Sequence, residues 1–392
     1  MTELKTATIP ATSKSSAWIT YVPALAFVLV MLTGFCVTVI SLSKVPVESW
    51  KGIGEPKQLF GGESTRRFSA QLNAHFIWSK VFSQIERAVT WTVAGDTGTA
   101  VRTGCQDWFF LSDELEVFPD AEKSALARAG IVSNLAKDLK ARGIQLVVAV
   151  VPDKSRIEQA HLCGLHRPAS FAPRLDSWVD QLKKTGVDTI SLAPALLATT
   201  GERYYRTDSH WNEIGSNAAA AAIAAHLHAE RLHAAPAVAP DPAALKSKVI
   251  DRSGDLLRVA NLDGLPAVLR PKAEAAQLTT IVASTSATDP ADPAGDDLFG
   301  DSGLPTVALV GTSFSRASNF VPFLSYHLGA PVANFAKDGG NFEGAAMAYL
   351  SGKTFQQSPP KVVLWEVPER MLPKPLTPSE QKWIAYFSAK KK

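Results

Sequence analysis

Three unbroken apolar stretches, each ending in polar or glycine residues, constrain the fold of this chain more than any other feature. They read IQLVVAVVPDKS from Ile144, TVALVGTSFS from Thr306 and KVVLWEVPER from Lys361. Such runs indicate strands that are buried on both faces, as in a parallel sheet covered by helices. Helical stretches lie between them, including Arg174–Thr185 and Ser216–Leu232. The sequence therefore predicts an α/β fold, a three-layer α/β/α sandwich with a mainly parallel sheet.

Polar side chains gather where these strands end. In open α/β sheets the working residues lie beyond the carboxyl ends of the strands. The residues at that position are Asp153, Lys154, Ser313, Ser315 and Glu366. These residues are therefore the first candidates for a functional site.

The segment Ala17–Leu42 contains no charged residue. At 1.5 Å per residue a helix of this length exceeds the roughly 30 Å hydrocarbon core of a bilayer. It predicts one transmembrane signal anchor that precedes the α/β fold, and a cleavable signal peptide is the alternative. Lysines on both sides do not decide the orientation, but the short head, residues 1–16, favours a cytoplasmic N-terminus. The rest of the chain is then expected outside the cell inner membrane, in the periplasm of a Gram-negative cell.

Charge and cysteine usage narrow the partners. The net charge of +3 gives no large basic excess, so nucleic acid is not expected as a partner. Cys36 falls inside the apolar segment, whereas Cys105 and Cys163 follow it. In an oxidising compartment these two can form a disulfide or stay as free thiols, and the sequence leaves both open.

The chain after the anchor divides into two predicted parts. Residues 43–104 are expected to form a helical lead-in that packs on the main domain, and residues 105–392 the catalytic domain. The lead-in contains an amphipathic helical pattern, ESTRRFSAQLNAHFIWSKVFSQIERAV. The stretch 274–303, rich in Ala, Ser, Thr, Asp and Pro, is predicted to be an exposed, flexible excursion. HAAPAVAPDPAAL, from His233, is predicted to be a surface connection.

Ser313 is the first candidate for chemistry. It follows Gly311 by two residues at the end of a predicted strand. A glycine there permits a sharp turn that presents a hydroxyl at the edge of the sheet, which is how nucleophilic serines are commonly held. A plain polar turn that caps the next helix explains the same residues.

Asp208 and His210 are the second candidate. They precede Asn212, which can cap the helix through the following alanines. Residues two apart in an extended segment project to the same side, so one loop can deliver a carboxylate and an imidazole to one site. The carboxylate would orient the ring, and the ring would take a proton from a serine. Alternatively, Asp208 caps a turn and His210 packs on Trp211.

Other histidines compete for the role of base. Those in and after the alanine-rich helix are expected to have no nearby acid and to lie at the surface. No HExxH pattern or thiolate cluster accompanies them, so no metal is predicted. The competing residues are His161, His166, His226, His228, His233 and His327.

Several short motifs occur in one order: VPDKSRIEQAHL, RTDSHWNEIGSNAAA, SGDLL, LVGTSFS and LWEVPER. Together they resemble the SGNH-hydrolase-like O-acetyltransferases of bacterial exopolysaccharide systems, the AlgJ/AlgX type, and the layout is nearer the anchored AlgJ form. The resemblance implies Ser313 as nucleophile, His210 as base and Asp208 as orienting acid. It has Gly-Thr-Ser and Asp-x-His where ordinary SGNH esterases have Gly-Asp-Ser and Asp-x-x-His.

Further residues are candidates for supporting roles. The backbone N–H of Ser313, together with Gly311, Gly340 and Asn341, is a candidate for stabilising an oxyanion, and a plain glycine turn explains DGGN nearly as well. Substrate-binding candidates are less specific, because core packing or salt bridges account for them equally. They are Tyr205, Arg206, Trp211 and Lys154.

The resemblance implies a double displacement without a cofactor. An acetyl group would pass through Ser313 to a hydroxyl of an exopolysaccharide, alginate- or cellulose-like. It also implies a multi-spanning membrane partner of the MBOAT type that exports acetyl groups. The alternatives are a carbohydrate acetylesterase, a peptidoglycan O-acetyltransferase and a non-catalytic polysaccharide-binding or assembly subunit.

Overall fold

A computed structural model of the protein describes residues 17–232, 241–282 and 305–390. The chain divides into two compact units between Arg87 and Ala88. The predicted boundary at residue 104 therefore falls inside the second unit, and the packing of the lead-in on the main domain stays a prediction. The predicted head at 1–16 and the part of the excursion at 283–303 lie outside the described residues.

Fourteen α-helices lie within the described residues. In chain order they are α1 Ala17–Leu42, α2 Pro56–Phe60, α3 Glu63–His75, α4 Ser79–Ala94, α5 Ala121–Lys140, α6 Lys154–Ile157, α7 Arg174–Lys184, α8 Ala193–Ala198, α9 Glu213–Ala229, α10 Asp255–Val259, α11 Phe320–Leu328, α12 Gly344–Leu350, α13 Lys353–Gln357 and α14 Pro378–Lys390.

The strands form three sheets within the described residues. They are β1 Val101–Thr103, β2 Phe109–Leu111, β3 Gln145–Val151, β4 Asp188–Ser191, β5 Leu245–Arg252, β6 Glu274–Ile281, β7 Val307–Val310, β8 Val332–Asn334 and β9 Val362–Pro368. The central sheet has the order β4-β3-β9-β7-β8 with every pairing parallel. Its three middle strands are the three apolar runs, which confirms the predicted α/β fold.

Burial explains why those runs lack alternation. The side chains of β7 and β9 are buried along their whole length, and β3 is buried apart from its first residue. Helices supply the covering layers, with α5 and α7 packing near β3 and β4, and α9 against α11. Buried residues of all these elements share one core.

The first unit contains α1, whose segment Tyr21–Leu42 is long and apolar enough to cross a membrane. The predicted amphipathic helix is instead two helices, α3 and α4. The break falls at Phe76, whose backbone is extended (φ −64°, ψ 117°). The continuous apolar pattern concealed this break, because both helices keep their apolar residues in a similar spacing.

Two other expectations change. The predicted excursion begins as strand β6, which pairs antiparallel with β5 from Arg252↔Glu274 to Leu245↔Ile281. The Ala, Thr and Gln residues of β6 are typical of a loop. They occur in a strand because most of this two-stranded sheet is exposed and needs few apolar residues. The connection predicted from His233 lies outside the described residues as far as residue 240, and its end forms a short helical turn at Pro242–Ala244.

Cys105 and Cys163 form a disulfide, with their Cα atoms 5.4 Å apart. It joins the turn between β1 and β2 to the segment after α6. The free thiol is that of Cys36, which lies exposed on α1.

Candidate active site

Ser313 lies in a tight turn at the carboxyl end of β7. The turn begins at Gly311, where an added Cβ would lie 2.5 Å from Glu366 Oε2 and 2.7 Å from Ser315 Oγ. No side chain fits that space, so glycine is required for a close approach. The hydroxyl of Thr312 then accepts the backbone N–H of Phe314 (3.3 Å) and starts a short 3-10 turn, Ser313–Arg316.

Glu366 fastens this turn to the neighbouring strand β9. Its carboxylate accepts the backbone N–H of Thr312 (2.6 Å) and the hydroxyl of Ser315 (3.0 Å). Burial raises the pKa of Glu366, although these hydrogen bonds lower it in part. Two of the residues predicted at the strand ends, Ser315 and Glu366, therefore help to hold this turn, the serine turn at residues 311–316, against the central sheet.

The second part of the site is a hairpin-like loop between Arg203 and Asn212, the acid–base loop, which carries Asp208 and His210. An isolated antiparallel bridge joins Tyr204 to Trp211, and Asn212 N–H donates to the Arg203 carbonyl (2.9 Å). The side chain of Asn212 accepts Gly215 N–H (3.0 Å), so it caps α9 as predicted. The loop is thereby closed at its base and directed by the helix that follows.

Asp208, His210 and Ser313 form one continuous hydrogen-bonded chain. His210 Nε2 lies 2.7 Å from Ser313 Oγ, and His210 Nδ1 lies 2.6 Å from Asp208 Oδ1. Burial opposes ionisation of Asp208, but His210 and Arg252 outweigh it and hold the pKa of Asp208 well below its usual range. Asp208 Oδ1 also accepts the backbone N–H of His210 (3.0 Å). The rings of His210 and Phe314 pack in a T-shaped arrangement, with 5.1 Å between their centroids. Asp208 is thus a turn acceptor and a partner of the imidazole at once.

Lys154 holds the acid–base loop from inside the protein. Its ammonium donates to the carbonyl oxygens of Phe109 (2.5 Å), Arg206 (3.0 Å) and Asp208 (2.9 Å). The side chain is 1% exposed, and burial lowers its pKa to about 8. An ammonium has three N–H donors, so three carbonyls satisfy it completely.

Glu274, at the start of β6, holds the same loop from the other side. Its carboxylate accepts the backbone N–H groups of Arg206 (2.6 Å) and Thr207 (2.9 Å). The hydroxyl of Thr207 donates to it as well (2.5 Å). The sequence offered no signal for this role, since Glu274 stood at the edge of the predicted excursion.

The segment SGDLL supplies a third support. Arg252, just before it, donates to Asp208 Oδ2 (2.7 Å), and the backbone N–H of Asp255 donates to the same oxygen (3.2 Å). The Asp255 carboxylate accepts the backbone N–H and the hydroxyl of Ser209, both at 2.7 Å. Burial and the charge of Asp208 raise the pKa of Asp255. The motif was visible in the sequence, whereas the roles of Arg252 and Asp255 were not.

Asp208, His210 and Asp255 also meet the spacing of a metal site, with one ligand atom from each lying within 4.8 Å of the others. Their hydrogen bonds favour a different use. Asp208 Oδ1 is occupied by His210 Nδ1, and the Arg252 guanidinium lies 2.7 Å from Oδ2. A cation bound there would have to displace both partners.

Most of the predicted substrate-binding side chains are buried, so the prediction that they contact substrate is wrong for them. Trp211 is 0% exposed and packs on Phe314 and Phe320, so it presents no ring face to a sugar. Lys154 is buried on its three carbonyls, and Tyr205 is buried beneath the guanidinium of Arg252. The core-packing alternative therefore holds for Trp211 and Tyr205, whereas Lys154 forms neither the predicted polymer contact nor its alternative, a solvated face or salt bridge. Arg206 stays partly exposed, although it donates to the Lys272 carbonyl (2.6 Å).

A cavity of about 340 Å³ opens beside Asp208. Arg258 and Arg270 line it together with Arg252, Asp255 and Asp263. Arg258 and Arg270 could not be recognised from the sequence, because they come from a helix and a loop that only the fold brings next to the acid–base loop.

The role of the oxyanion candidates remains a prediction. The backbone N–H of Gly340 donates to the Lys337 carbonyl (3.1 Å), so it is used in its own turn. Asn341 has a left-handed backbone (φ 52°) and is exposed. Gly311 is placed by the close approach of Glu366 described above.

Three of the competing histidines have other partners. His226 Nε2 lies 2.7 Å from Asp188 Oδ1, so the expectation that it lacks an acidic neighbour is wrong. The sheet brings Asp188 of β4 beside α9 although the two residues are 38 positions apart. His161 stacks on Trp108 at 4.0 Å, and His327 contacts Asn217 at 2.7 Å. His233 lies outside the described residues.

The parallel sheet, the serine turn and the acid–base loop define an SGNH hydrolase-like protein. Residues 101–369 match the family model described as SGNH hydrolase-like domain, acetyltransferase AlgX. The probable alginate O-acetylase AlgJ of Pseudomonas aeruginosa is 30% identical over 382 residues, which cover 94% of this chain and 93% of that protein. This chain therefore belongs to the AlgJ/AlgX family of SGNH hydrolase-like acetyltransferases.

Solved structures agree with this assignment. The O-acetyltransferase domain of Pseudomonas putida AlgJ superposes with a TM-score of 0.60 at 27% identity, covering 74% of this chain and 99% of that domain. Pseudomonas aeruginosa AlgX superposes with a TM-score of 0.50 at 25% identity, covering 68% of this chain and 62% of AlgX. The family and its fold are thus supported from both sequence and structure.

Proposed function

We propose that this protein is an O-acetyltransferase that moves acetyl groups through Ser313 onto hydroxyls of a bacterial exopolysaccharide. The observation that carries the proposal is the hydrogen-bonded chain from Asp208 through His210 to Ser313. A serine is a weak nucleophile until a base takes its proton, and this arrangement provides that base and its orienting acid.

In the first half-reaction Ser313 Oγ attacks the carbonyl carbon of the acetyl donor while His210 Nε2 takes the hydroxyl proton. Asp208 stabilises the imidazolium that forms. The donor's leaving group departs with the proton from His210, and an acetyl ester remains on Ser313. In the second half-reaction His210 takes the proton of a sugar hydroxyl, whose oxygen attacks the ester. Ser313 Oγ then leaves and recovers the proton from His210.

The location and partners belong to the same proposal. The apolar segment Tyr21–Leu42 supports a single-pass anchor in the inner membrane, with the catalytic unit in the periplasm. Acetyl donors made in the cytoplasm must then be delivered across that membrane, so we propose a multi-spanning MBOAT-type partner that exports acetyl groups. The relatives named for alginate suggest a uronate polymer as acceptor, and Arg258 and Arg270 beside the site suit an anionic chain.

A carbohydrate acetylesterase is the second candidate, because the same three residues would deliver water to the acyl-enzyme. The two reactions differ only in the group that accepts the acetyl. Full-length protein is therefore incubated with an activated aryl acetate and oligosaccharides of mannuronate or glucose. Mass spectrometry of the sugars measures transfer, and the acetate released measures hydrolysis.

We expect acetylated mannuronate oligosaccharide, and Ser313→Ala or His210→Ala to lower transfer by about 10³-fold or more. His226→Ala is the matched control, because His226 is also paired with an aspartate but lies outside this hydrogen-bonded chain. Free acetate without acetylated sugar would assign the esterase function instead. Full activity in Ser313→Ala would contradict Ser313 as the nucleophile. Neither acetylated sugar nor free acetate from the unmodified protein would favour a polysaccharide-binding or assembly subunit.

A further inference from the structure

Helix α4 carries an apolar stripe that the described residues leave exposed. At 3.6 residues per turn its members fall within about a third of the helix circumference. The members in the first unit are exposed by 39% to 54% and comprise Trp78, which directly precedes the helix, and Val81, Phe82 and Ile85. Ser83, Arg87 and Thr90 occupy the other side. A stripe of this kind on a surface helix indicates a binding partner that is itself apolar.

The start of α4 is tied to the end of the apolar helix α1. The backbone N–H of Ile77 donates to Ser41 Oγ (3.2 Å), and Ser41 is fully buried in the last turn of α1. The chain therefore returns, after α2 and α3, to the level at which the candidate membrane span ends. The rings of Trp78 and Phe82 lie together there, 6.1 Å between centroids. Tryptophan is enriched at the boundary between hydrocarbon and lipid headgroups.

The stripe offers little polar chemistry. Thr92 lies within it, but its hydroxyl donates to the Ala88 carbonyl (2.5 Å) inside the helix. Protein–protein interfaces usually carry several hydrogen bonds and a polar rim. A surface whose polar group is satisfied internally suits lipid better, because hydrocarbon supplies no hydrogen-bonding partners.

We infer that the α4 stripe binds the surface of the same membrane that α1 spans, as an interfacial amphipathic helix. The inference rests on the proposed membrane anchor. A single spanning helix leaves the first unit free to tilt relative to the bilayer surface. A second apolar attachment beginning at the exit of that helix restricts this tilt, and so keeps one face of the first unit toward the bilayer.

Site-specific fluorescence tests this inference on the full-length protein. A Cys36→Ser background leaves the Cys105–Cys163 disulfide and no other native thiol. Ile85→Cys places a label on the stripe. Ser83→Cys is the matched control, two positions away and about 200° around the helix. The labelled proteins are reconstituted in phosphatidylcholine–phosphatidylglycerol vesicles and treated with aqueous iodide or with lipid that carries a nitroxide near the headgroup.

We expect nitroxide lipid to quench the label at position 85 at least about twofold more strongly than the label at position 83, and iodide to show the reverse order. Equal iodide quenching at both positions would overturn the inference. Protection of position 85 from both quenchers would also overturn it, because another protein surface would then cover the stripe. Val81→Cys repeats the test if Ile85→Cys does not retain aryl acetate hydrolysis.

The anchor is tested separately by whether the unlabelled chain stays in vesicles after alkaline carbonate washing. Loss from the vesicles contradicts the proposed anchor. Retention together with the wrong quenching order contradicts only the inference about α4.

Discussion

The serine turn and the acid–base loop meet at one hydrogen bond, yet they are built by different means. The serine turn is held by its neighbours in the central sheet: Gly311 follows β7, and Glu366 belongs to the adjacent strand β9. The acid–base loop has no strand of the central sheet within it. Charged side chains from three separate parts of the chain, Lys154, Arg252 and Glu274, hold its backbone and its acid.

This difference indicates how each part tolerates change. A turn built into a close-packed sheet fails through crowding, since packed interiors cannot absorb an extra atom without displacement. A loop held by charged hydrogen bonds fails through lost partners, which leave buried polar groups unsatisfied. The nucleophile and its base can therefore be perturbed independently.

The largest effect is expected from crowding the serine turn. In Gly311→Ala the added Cβ would lie 2.5 Å from Glu366 Oε2, so the turn has to move and carry Ser313 with it. We expect turnover with an aryl acetate to fall by about 10²-fold, the usual result of a displacement near 1 Å. Gly130→Ala, at an exposed helical glycine with nothing near its Cβ position, is the control and should not lower activity. Unchanged turnover in Gly311→Ala would contradict the sheet-based account.

A smaller effect is expected when the acid–base loop loses its central donor. Lys154→Met leaves three carbonyl oxygens without their ammonium, and we expect kcat to fall by about 10- to 100-fold while KM changes little. Lys248→Met, at an exposed lysine of β5, is the control. A rise in KM with constant kcat would assign Lys154 to substrate binding instead.

The lowered pKa of Lys154 extends the same prediction to pH. Above about pH 8 the folded protein loses this proton, and the neutral amine has two donors for three carbonyls, so activity should decline. Stability should not follow. Because the folded-state pKa lies below the ordinary 10.5, the unfolded chain binds more protons in this window, and this group makes unfolding free energy rise with pH. Parallel pH profiles of kcat and of urea unfolding measure the divergence, which Lys154→Met should abolish.

The smallest effect is expected at Asp255, whose Oδ2 lies 3.7 Å from His210 Nδ1. Asp255→Asn keeps an acceptor for Ser209 but removes a negative charge beside the imidazole. At this distance the charge is worth about 1 kcal/mol in a water-like dielectric, so turnover should fall by roughly fivefold. Asp263→Asn, in the same cavity, is the control, and equal turnover in both variants would show that Asp208 alone serves His210.

Much of this arrangement could be predicted from the chain. The strands β3, β7 and β9 were visible as apolar runs, because burial on both faces imposes its own composition. Asp208 and His210 could be paired because they are two residues apart in one loop. The two-stranded sheet of β5 and β6 could not be predicted, since an exposed sheet places little constraint on residue type.

The supports of the acid–base loop were also hidden from the sequence. Lys154 was placed correctly at the end of a strand, but its burial reverses the expected role, from binding polymer to holding backbone carbonyls. Glu274 and Asp255 meet the loop from 67 and 46 positions away, and nothing in their local sequence marks that contact.

By itself the sequence determined three things: which apolar runs are the buried middle strands of the central sheet, where the serine turn needs a glycine, and which acid accompanies His210. These follow from periodicity, backbone sterics and short spacing, which act within a few residues. The tertiary structure alone decided that His210 meets Ser313 across 103 positions, and which charged groups are buried around them. That outcome depends on how layers pack, because burial and long-range hydrogen bonds exist only after the whole sheet and its helices have assembled.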